Sequence, residues 1–221
     1  MLKIGVCLPH RFEDVGEYLA DARALDAAGV ASLWLDDGGH DPWMVLSGIA
    51  AVTGVARLVV SLTDADARLC AGPDTRLATL ERLSRGRAVI CVTPADGVEV
   101  VIDFARRAKA PVLVEARGEA QVRIAARLAD GLVRRVESPE VLRTSLTPVS
   151  RLREAAGRSG PFEVWARVAA LPDPTEWRRV RQEYEDAGAT GVIVPADPRL
   201  LDLLRNGDEE DDRSDLQLAQ G

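Results

Sequence analysis

The sequence predicts an α/β protein, and within that class a compact (β/α)8 TIM barrel. Eight short apolar segments alternate with segments of helical period, and the connections between them are short. The apolar segments are nearly continuous, which is typical of parallel strands buried on both faces. The alternative is an open doubly wound sheet, but it would carry a glycine fingerprint after its first strand, where this chain has Pro9-His10-Arg11-Phe12-Glu13.

Apolar runs that are too short for a helix define the predicted strands. In chain order they cover residues 2–8, 30–35, 57–62, 88–92, 111–114, 131–136, 162–168 and 191–194. The second run is bounded by Gly29 and by Asp36-Asp37-Gly38-Gly39, so polar groups collect at its carboxyl end. The sixth run is weaker, because Arg134 and Arg135 interrupt it.

Apolar residues at helical spacing define the predicted helices. These cover residues 13–28, 42–52, 75–83, 97–109, 118–129, 139–152, 174–187 and 198–204. In the first helix the spacing is kept by Val15, Leu19, Ala22 and Leu25. The sixth begins at Ser138-Pro139-Glu140, where a capping residue precedes a proline.

The second helix is apolar around its whole circumference. Asp41 precedes Pro42, which is the usual order of an N-cap and a first helical residue. The run from Met44 to Val52 is interrupted by Ser47 and Gly48 alone. Because a helix on the outside of a barrel normally keeps one solvated face, we predict a homodimer contact through the helix Pro42 to Val52, with Ile49 in the interface.

Composition narrows the possible partners and compartments. The chain has 221 residues, a net charge of -7 and a pI near 5.0, which argues against a nucleic-acid partner. Cys7, Cys70 and Cys91 form neither a disulfide set nor a metal-ligand spacing, which favours a reduced, cytoplasmic location. We expect no targeting signal, no membrane span and no metal site, and we predict one domain over residues 1–207 with an acidic disordered tail over 208–221.

In a barrel of this kind, residues that act lie at the carboxyl ends of the strands. The polar candidates there are His10, Asp36, Asp37, His40, Ser61, Thr63, Thr93, Glu115 and Arg117. Simpler structural roles remain open for several of them. Asp37 and Asp41 can form turns and cap a helix, and a loop histidine can simply be solvated. Cys7 and Cys91 are interpreted as packing residues, and the four tryptophans as core or interface residues. Arg134 and Arg135 could reach a phosphate, but a surface ion pair is the preferred interpretation.

Several segments, in this order, resemble the luciferase-like monooxygenase superfamily, the flavin- and F420-dependent barrel oxidoreductases. They are Lys3-Ile-Gly-Val-Cys-Leu-Pro9, Ala24-Leu-Asp-Ala-Ala-Gly29, Ser32-Leu-Trp-Leu-Asp-Asp37, Asp41-Pro-Trp43, Leu80-Glu-Arg-Leu-Ser-Arg-Gly-Arg87 and Tyr184-Glu-Asp-Ala-Gly-Ala-Thr-Gly-Val-Ile-Val194. The resemblance implies FMN or F420 as cofactor, and hydride or oxygen chemistry on a small organic substrate. It implies cofactor binding by Asp36, Ser61, Thr63, Thr93, Glu115, Arg117 and Gly118, and catalysis by His10, Asp37 and His40.

The chain also departs from that family. Family members are commonly longer after the fourth strand, and the turn after their fifth strand is rich in glycine and receives the cofactor phosphate. Here that turn is Glu115-Ala-Arg-Gly118, in which Glu115 would repel a phosphate and Arg117 would attract one. Gly38 stands where the family often has a histidine. The alternative hypothesis is therefore a non-catalytic shortened barrel that has lost the cofactor and serves as a structural or binding protein.

Overall fold

The structure is a closed barrel of eight parallel strands, as the sequence predicts. The computed structural model describes residues 1–62, 75–93, 102–103, 106–107, 109–170, 173 and 175–206. The strands are β1 (Lys3–Cys7), β2 (Ser32–Asp36), β3 (Arg57–Leu62), β4 (Ala88–Val92), β5 (Val112–Ala116), β6 (Gly131–Arg135), β7 (Glu163–Arg167) and β8 (Gly191–Pro195). Each strand pairs with the next in the chain, and β8 pairs with β1 to close the ring.

The helices lie outside the strands. They are α1 (Val15–Ala27), α2 (Pro42–Val52), α3 (Thr75–Ser84), α4 (Glu119–Leu128), α5 (Pro139–Leu146), α6 (Val149–Ala155), α7 (Trp177–Asp186) and α8 (Leu200–Asn206). Between β4 and β5 the four described residues at 102–103 and 106–107 are also helical. None of the helices in the described part of the chain is long and apolar enough to cross a membrane.

Most predicted boundaries differ from the observed ones by one to three residues, and two differences affect how a helix and a strand are built. The single helix predicted over residues 139–152 is divided into α5 and α6, because Pro148 has no N–H to continue the helical ladder. Strand β5 continues to Ala116, so Glu115 is a buried strand residue and not part of the turn that follows. Thr63, Cys70 and the predicted tail at 208–221 lie outside the described residues.

Two tryptophans fill the middle of the barrel. The Trp34 and Trp165 rings meet edge to face with centroids 5.5 Å apart, and both side chains are buried. Small residues beside them leave the space: a Cβ atom on Gly5 would lie 2.5 Å from Trp34 Nε1, and one on Gly191 would lie 2.5 Å from Trp165 Cε3. The barrel interior is therefore a packed core and not a channel.

Below the tryptophans, an ion pair closes the amino end of the barrel. Arg57 Nη1 donates to both carboxylate oxygens of Glu163, at 2.7 and 2.8 Å. Lys3 Nζ adds a contact of 3.3 Å, and Trp165 Nε1 donates to Glu163 at 2.8 Å. The charge and donors around Glu163 outweigh its burial and hold its pKa below the usual value, so this carboxylate stays ionised.

Helix α2 confirms its predicted start but corrects the predicted interface residue. Asp41 accepts hydrogen bonds from the Trp43 and Met44 amides at 2.8 and 3.2 Å, so it is the N-cap. Ile49 is fully buried in the core of its own barrel and cannot contact a second subunit, so its assignment to an interface was wrong. Met44, in contrast, is 71% exposed. An apolar helix thus has one face on the barrel and one facing outward.

We expect Gly191→Ala to destabilise the protein by about 1–3 kcal/mol, because the new methyl group must displace the Trp165 ring from a packed interior. Gly54→Ala is the matched control, since nothing lies within 4 Å of a Cβ atom there and its φ is not in the left-handed region. Urea unfolding of the two variants measures the difference. Equal free energies of unfolding would show that the Trp165 side chain can yield freely.

Candidate active site

The carboxyl end of the barrel holds an ion pair between the half-buried Asp36 of β2 and the buried Arg167 of β7. Arg167 Nη1 lies 2.7 Å from Asp36 Oδ2, and Nη2 lies 2.9 Å from Oδ1, so the guanidinium binds the carboxylate with both arms. Arg167 is 5% exposed, and its guanidinium lies 5.8 Å from the centroid of the Trp34 ring. Cys7 Sγ donates to Asp36 Oδ2 at 3.6 Å. The tryptophan core thus supports a charged layer at the barrel mouth.

The pair fixes the protonation states in this layer. Burial alone would raise the pKa of Asp36, but the hydrogen bonds and the charge of Arg167 outweigh it and hold that pKa below its usual value. Burial and the neighbouring Asp36 carboxylate raise the pKa of the Cys7 thiol to about 11. Asp36 is therefore a permanent anion at neutral pH and Cys7 a neutral thiol, so neither exchanges protons there.

A second carboxylate of the mouth is also paired. Glu115 of β5 is 7% exposed, and its Oε1 lies 3.7 Å from Arg135 Nη2 of β6. Cys91 is fully buried, and burial together with Glu115 raises the pKa of its thiol. The predicted repulsion between Glu115 and a phosphate is thus offset by the positive charge of Arg135. The packing role predicted for Cys7 and Cys91 agrees with the burial of their side chains.

Two polar atoms of the mouth have no hydrogen-bond partner among the described residues. They are the hydroxyl of Ser61 and Nε of Arg167, and both are buried. Ser61 pairs in register with Asp36 on one side and with Cys91 on the other. Its hydroxyl is near enough to favour the ionised form of Asp36, although its geometry falls outside that of a hydrogen bond. A buried hydroxyl and a buried N–H are groups that a bound ligand can satisfy.

The turn between β5 and α4 already has an internal acceptor. Gln121 Oε1 accepts from the backbone amides of Arg117 and Gly118, at 2.6 and 2.9 Å. These are the donors that a phosphate at the start of α4 would use. The side chain of Gln121 therefore occupies the hydrogen-bonding positions of the predicted phosphate turn.

Beside this turn lies a cavity of about 520 Å³ between α4 and α5. Its polar lining includes Gly118, Arg123, Arg134, Thr144 and Ser145, together with the carboxylates of Glu119 and Glu140. Arg134 Nη1 donates to the Ala116 carbonyl at 2.7 Å, whereas its Nε is buried without a partner in the part of the chain that the structure describes. A phosphate placed in this cavity would lie beside Arg134 and the N-terminus of α4, which attract it, and beside the carboxylates of Glu119 and Glu140, which repel it.

The predicted catalytic residues form a separate group in the loops after β1 and β2. The His40 amide donates to the His10 carbonyl at 3.1 Å, which ties the two loops together, and the His40 ring lies 4.5 Å from the Phe12 ring. Both histidines are exposed, and Asp37 lines a cavity of about 240 Å³ together with His40. The close approach requires Gly39, since a Cβ atom there would overlap the His10 carbonyl.

The structure therefore distributes the predicted residues over three places. Asp36, Ser61 and Glu115 meet inside the mouth, and His10, Asp37 and His40 lie in the β1 and β2 loops. Arg117 and Gly118 form the turn before α4, and Thr93 is half-buried directly after β4. Thr63 lies outside the described residues. No described group of three or more His, Cys, Asp and Glu side chains is placed to hold a metal ion.

Sequence reasoning missed Arg167 and Gln121. Arg167 ends a short strand whose middle three residues are apolar, and a charged residue at the buried end of such a strand signals a partner. That partner, Asp36, is 131 residues away, so the pair could be found only from the ring order of the strands. The sequence indicated Gln121 less clearly. A glutamine three residues after the N-cap can accept a hydrogen bond from the N-cap amide, and Gln121 has this spacing from Gly118.

Solved structures with the same barrel include F420-dependent oxidoreductases and a monooxygenase. The F420-dependent tetrahydromethanopterin reductase of Methanopyrus kandleri is 14% identical, with 94% of this chain and 98% of that chain covered and a TM-score of 0.76. An F420-dependent secondary alcohol dehydrogenase, in complex with an F420-acetone adduct, is 12% identical over 92% and 96%, with a TM-score of 0.70. The monooxygenase RslO1 of Streptomyces bottropensis is 18% identical over 84% and 77%, with a TM-score of 0.62.

Neither a family model nor a curated protein sequence matches the chain. The likeness to these structures confirms the predicted resemblance to the luciferase-like superfamily in its fold. At these identities the chain shares the barrel fold with these enzymes.

We expect Asp36→Asn to lower the free energy of unfolding by about 3–5 kcal/mol, because the Arg167 charge would remain buried without its counter-ion. The double variant Asp36→Leu with Arg167→Met should cost much less, since it removes both charges and keeps the volume. Urea unfolding at pH 7 compares them. A double variant as unstable as Asp36→Asn would contradict the argument.

The pH dependence of the free energy of unfolding is a second test of the ion pair between Asp36 and Arg167. Because folding lowers the pKa of Asp36, the pair contributes its full stability above the ordinary aspartate pKa and loses it as the pH falls through the lowered value. The double variant should lose less stability than the wild type over that range.

Proposed function

We propose that the chain is an FMN- or F420-dependent oxidoreductase that performs hydride or oxygen chemistry on a small organic substrate at the barrel mouth. The fold supports this, since solved structures with the same barrel are named as F420-dependent enzymes and as monooxygenases. The charged layer supports it as well, because it is a rigid, buried support for a planar ligand. A cytoplasmic location stays a prediction from the cysteine content.

The observation that carries the proposal is the unsatisfied Nε of Arg134 beside the start of α4. In the proposed complex this N–H and the Gly118 amide bind the cofactor phosphate, and Arg123 adds a positive charge at the rim of the same cavity. When bound, the cofactor supplies the redox chemistry itself. The protein then has to hold the ring and the substrate in position.

In the mouth, we assign the orienting role to Ser61 and Arg167. The Ser61 hydroxyl and Arg167 Nε are the unpartnered polar atoms there, and Asp36 keeps the Arg167 guanidinium in one orientation. Asp36 does not serve as a proton donor, because its lowered pKa keeps it ionised. Proton transfer at the rim is assigned to His10 or His40, with Asp37 beside them, as the residue types indicate.

A second function is supported by Gln121. Since its side chain already accepts from both amides of the turn, the chain can complete its own phosphate position without a cofactor. Both carboxylates of the mouth are also neutralised by arginines. A non-catalytic barrel, serving as a structural or binding protein, would keep these internal contacts and have no affinity for either cofactor.

We further propose a homodimer through the outer face of α2. Met44 and Val55 are 71% and 76% exposed, and Ala51 is exposed between them. Met44 and Ala51 are seven residues apart and so lie on one face of α2, and Val55 follows in the turn after the helix. Large apolar side chains grouped on one face of the surface are typical of a contact with a second subunit.

Titration of the purified protein with FMN and with F420, followed by visible absorbance, tests the cofactor. We expect binding at micromolar concentration. Arg134→Gln should weaken it roughly tenfold to a hundredfold, because a charged hydrogen bond to phosphate is lost. Gln121→Ala should strengthen it, because both turn amides become free. Arg127→Gln is the control, because Arg127 is an exposed arginine on α4 that does not line the cavity.

If neither cofactor binds to the wild type or to Gln121→Ala, the oxidoreductase proposal fails and the non-catalytic barrel is supported.

For the dimer, sedimentation of Met44→Asp should give a folded monomer, because a carboxylate would be buried without a partner in the contact. Val141→Asp is the control: Val141 is a half-exposed apolar residue on α5, away from α2. A wild type that sediments as a monomer, or a Met44→Asp variant that remains a dimer, would exclude this interface.

A further inference from the structure

The amino end of the barrel holds a second, chemically different cavity, which we call the floor cavity. Its volume is about 700 Å³, and it opens where β3, β5, β6 and β7 begin. Five cationic side chains line it: Arg57, Arg106, Lys109, Arg153 and Arg158. The carboxylates that line it are Asp130 and Glu163, and its apolar walls come from Ala110, Pro111, Leu113 and Pro161. Positive charge predominates there, although the chain as a whole carries a net charge of -7.

The two carboxylates of the floor cavity are already engaged. Glu163 accepts from both Arg57 and Lys3 and from the Trp165 indole. Asp130 accepts from Arg158 at 3.1 Å and from the Val112 amide at 2.9 Å. These contacts neutralise Arg57 and Arg158, so the charges of the other cations are not balanced by the acids that line the cavity.

Among the remaining cations, Arg153 is buried and has an unpaired N–H group among the described residues. The residue is 8% exposed, its Nη2 donates to the Gly160 carbonyl at 2.6 Å, and its guanidinium lies 4.4 Å from the Phe162 ring centroid. Its Nη1 is buried and finds no hydrogen-bond acceptor among the residues described. A buried guanidinium N–H without a partner is uncommon and calls for an acceptor. Arg153 is therefore a positive group, fixed in place, with one free donor.

Lys109 and Arg106 lie on the side of the cavity before β5. Lys109 has a φ of 62°, in the left-handed region, and its amide donates to the Arg106 carbonyl at 3.0 Å. No acidic side chain of the described ranges pairs with Lys109. Arg106 bonds the Leu128 carbonyl and has only a long contact of 3.7 Å to Asp103. The tight turn thus places at the rim of the floor cavity an ammonium group that no described carboxylate neutralises.

We propose that the floor cavity is a binding site for a small phosphate-bearing molecule, separate from the barrel mouth. A phosphate accepts from guanidinium and ammonium groups together, and it would satisfy Arg153 Nη1 and balance Lys109. The volume is that of a small-molecule site, and the proline and leucine walls suit an organic group attached to the phosphate. The tryptophan core lies between this cavity and the mouth, so the two ends bind their ligands independently.

The test is calorimetric titration of the full-length protein with inorganic pyrophosphate and, separately, with AMP, at constant ionic strength because screening weakens such contacts. We expect saturable binding of at least one probe, and tighter binding of AMP would identify an organic phosphate as the ligand. Lys109→Asn should weaken binding about tenfold by removing one charged contact. Asparagine tolerates the left-handed backbone at that position, so the variant should fold. Arg153→Gln should weaken binding at least as much.

Because the probes could also bind at the proposed cofactor phosphate position, all variants are compared in an Arg134→Gln background, which removes that contact. Arg23→Gln is the control, since it removes an exposed charge on α1 that does not line the floor cavity, and it should leave binding of the probes unchanged. The proposal is overturned if neither probe saturates in that background, if Lys109→Asn binds as tightly as its parent, or if Arg23→Gln weakens binding as much as Lys109→Asn.

Discussion

The contact between Trp34 and Trp165 is the constraint on which the rest of the barrel depends. Two indoles at 5.5 Å leave no room for a side chain at Gly5 or Gly191, and their N–H groups are satisfied toward the amino end, by Ser32 and by Glu163. Polar groups are consequently confined to the two ends of the ring. This is why the molecule has a charged layer above the indoles, a charged layer below them and no described charge between.

The sequence predicted the ring because parallel strands buried on both faces are apolar throughout, and β3 and β4 were predicted with their observed bounds. It failed where the answer depends on which side of an apolar element faces the core. Helix α2 has no polar face, so nothing in its sequence distinguishes buried Ile49 from exposed Met44. The candidate site was predictable in part. Asp36, Ser61 and Glu115 could be placed because they lie at the carboxyl ends of predicted strands, but Arg167, which neutralises Asp36, comes from a strand that is distant in sequence.

Charge compensation decides what the mouth can do. An unpaired Asp36 in this position would be a candidate acid or base, whereas the paired one is a fixed anion whose role is to orient Arg167. In the proposed reaction, proton transfer is therefore assigned to the two histidines exposed at the rim. The rigid ionic layer thus results from burial together with charge pairing, whereas the histidines lie exposed at the rim.

Whether the Gln121 side chain prevents a phosphate from binding depends on the free energies of the hydrogen bonds that the turn amides make to each acceptor. Each of its bonds to the turn is a neutral hydrogen bond with a net worth of about 0.5–1.5 kcal/mol, while the same amide donating to a charged group contributes about 1.5–3 kcal/mol. If a phosphate replaces Gln121 as the acceptor of both amides, the exchange is favourable by about 2–3 kcal/mol, before any contribution from Arg134. On these values the glutamine lowers the affinity for a phosphate without abolishing it. An internal acceptor of this strength would keep the turn ordered in the free protein and would yield to the phosphate of the proposed cofactor.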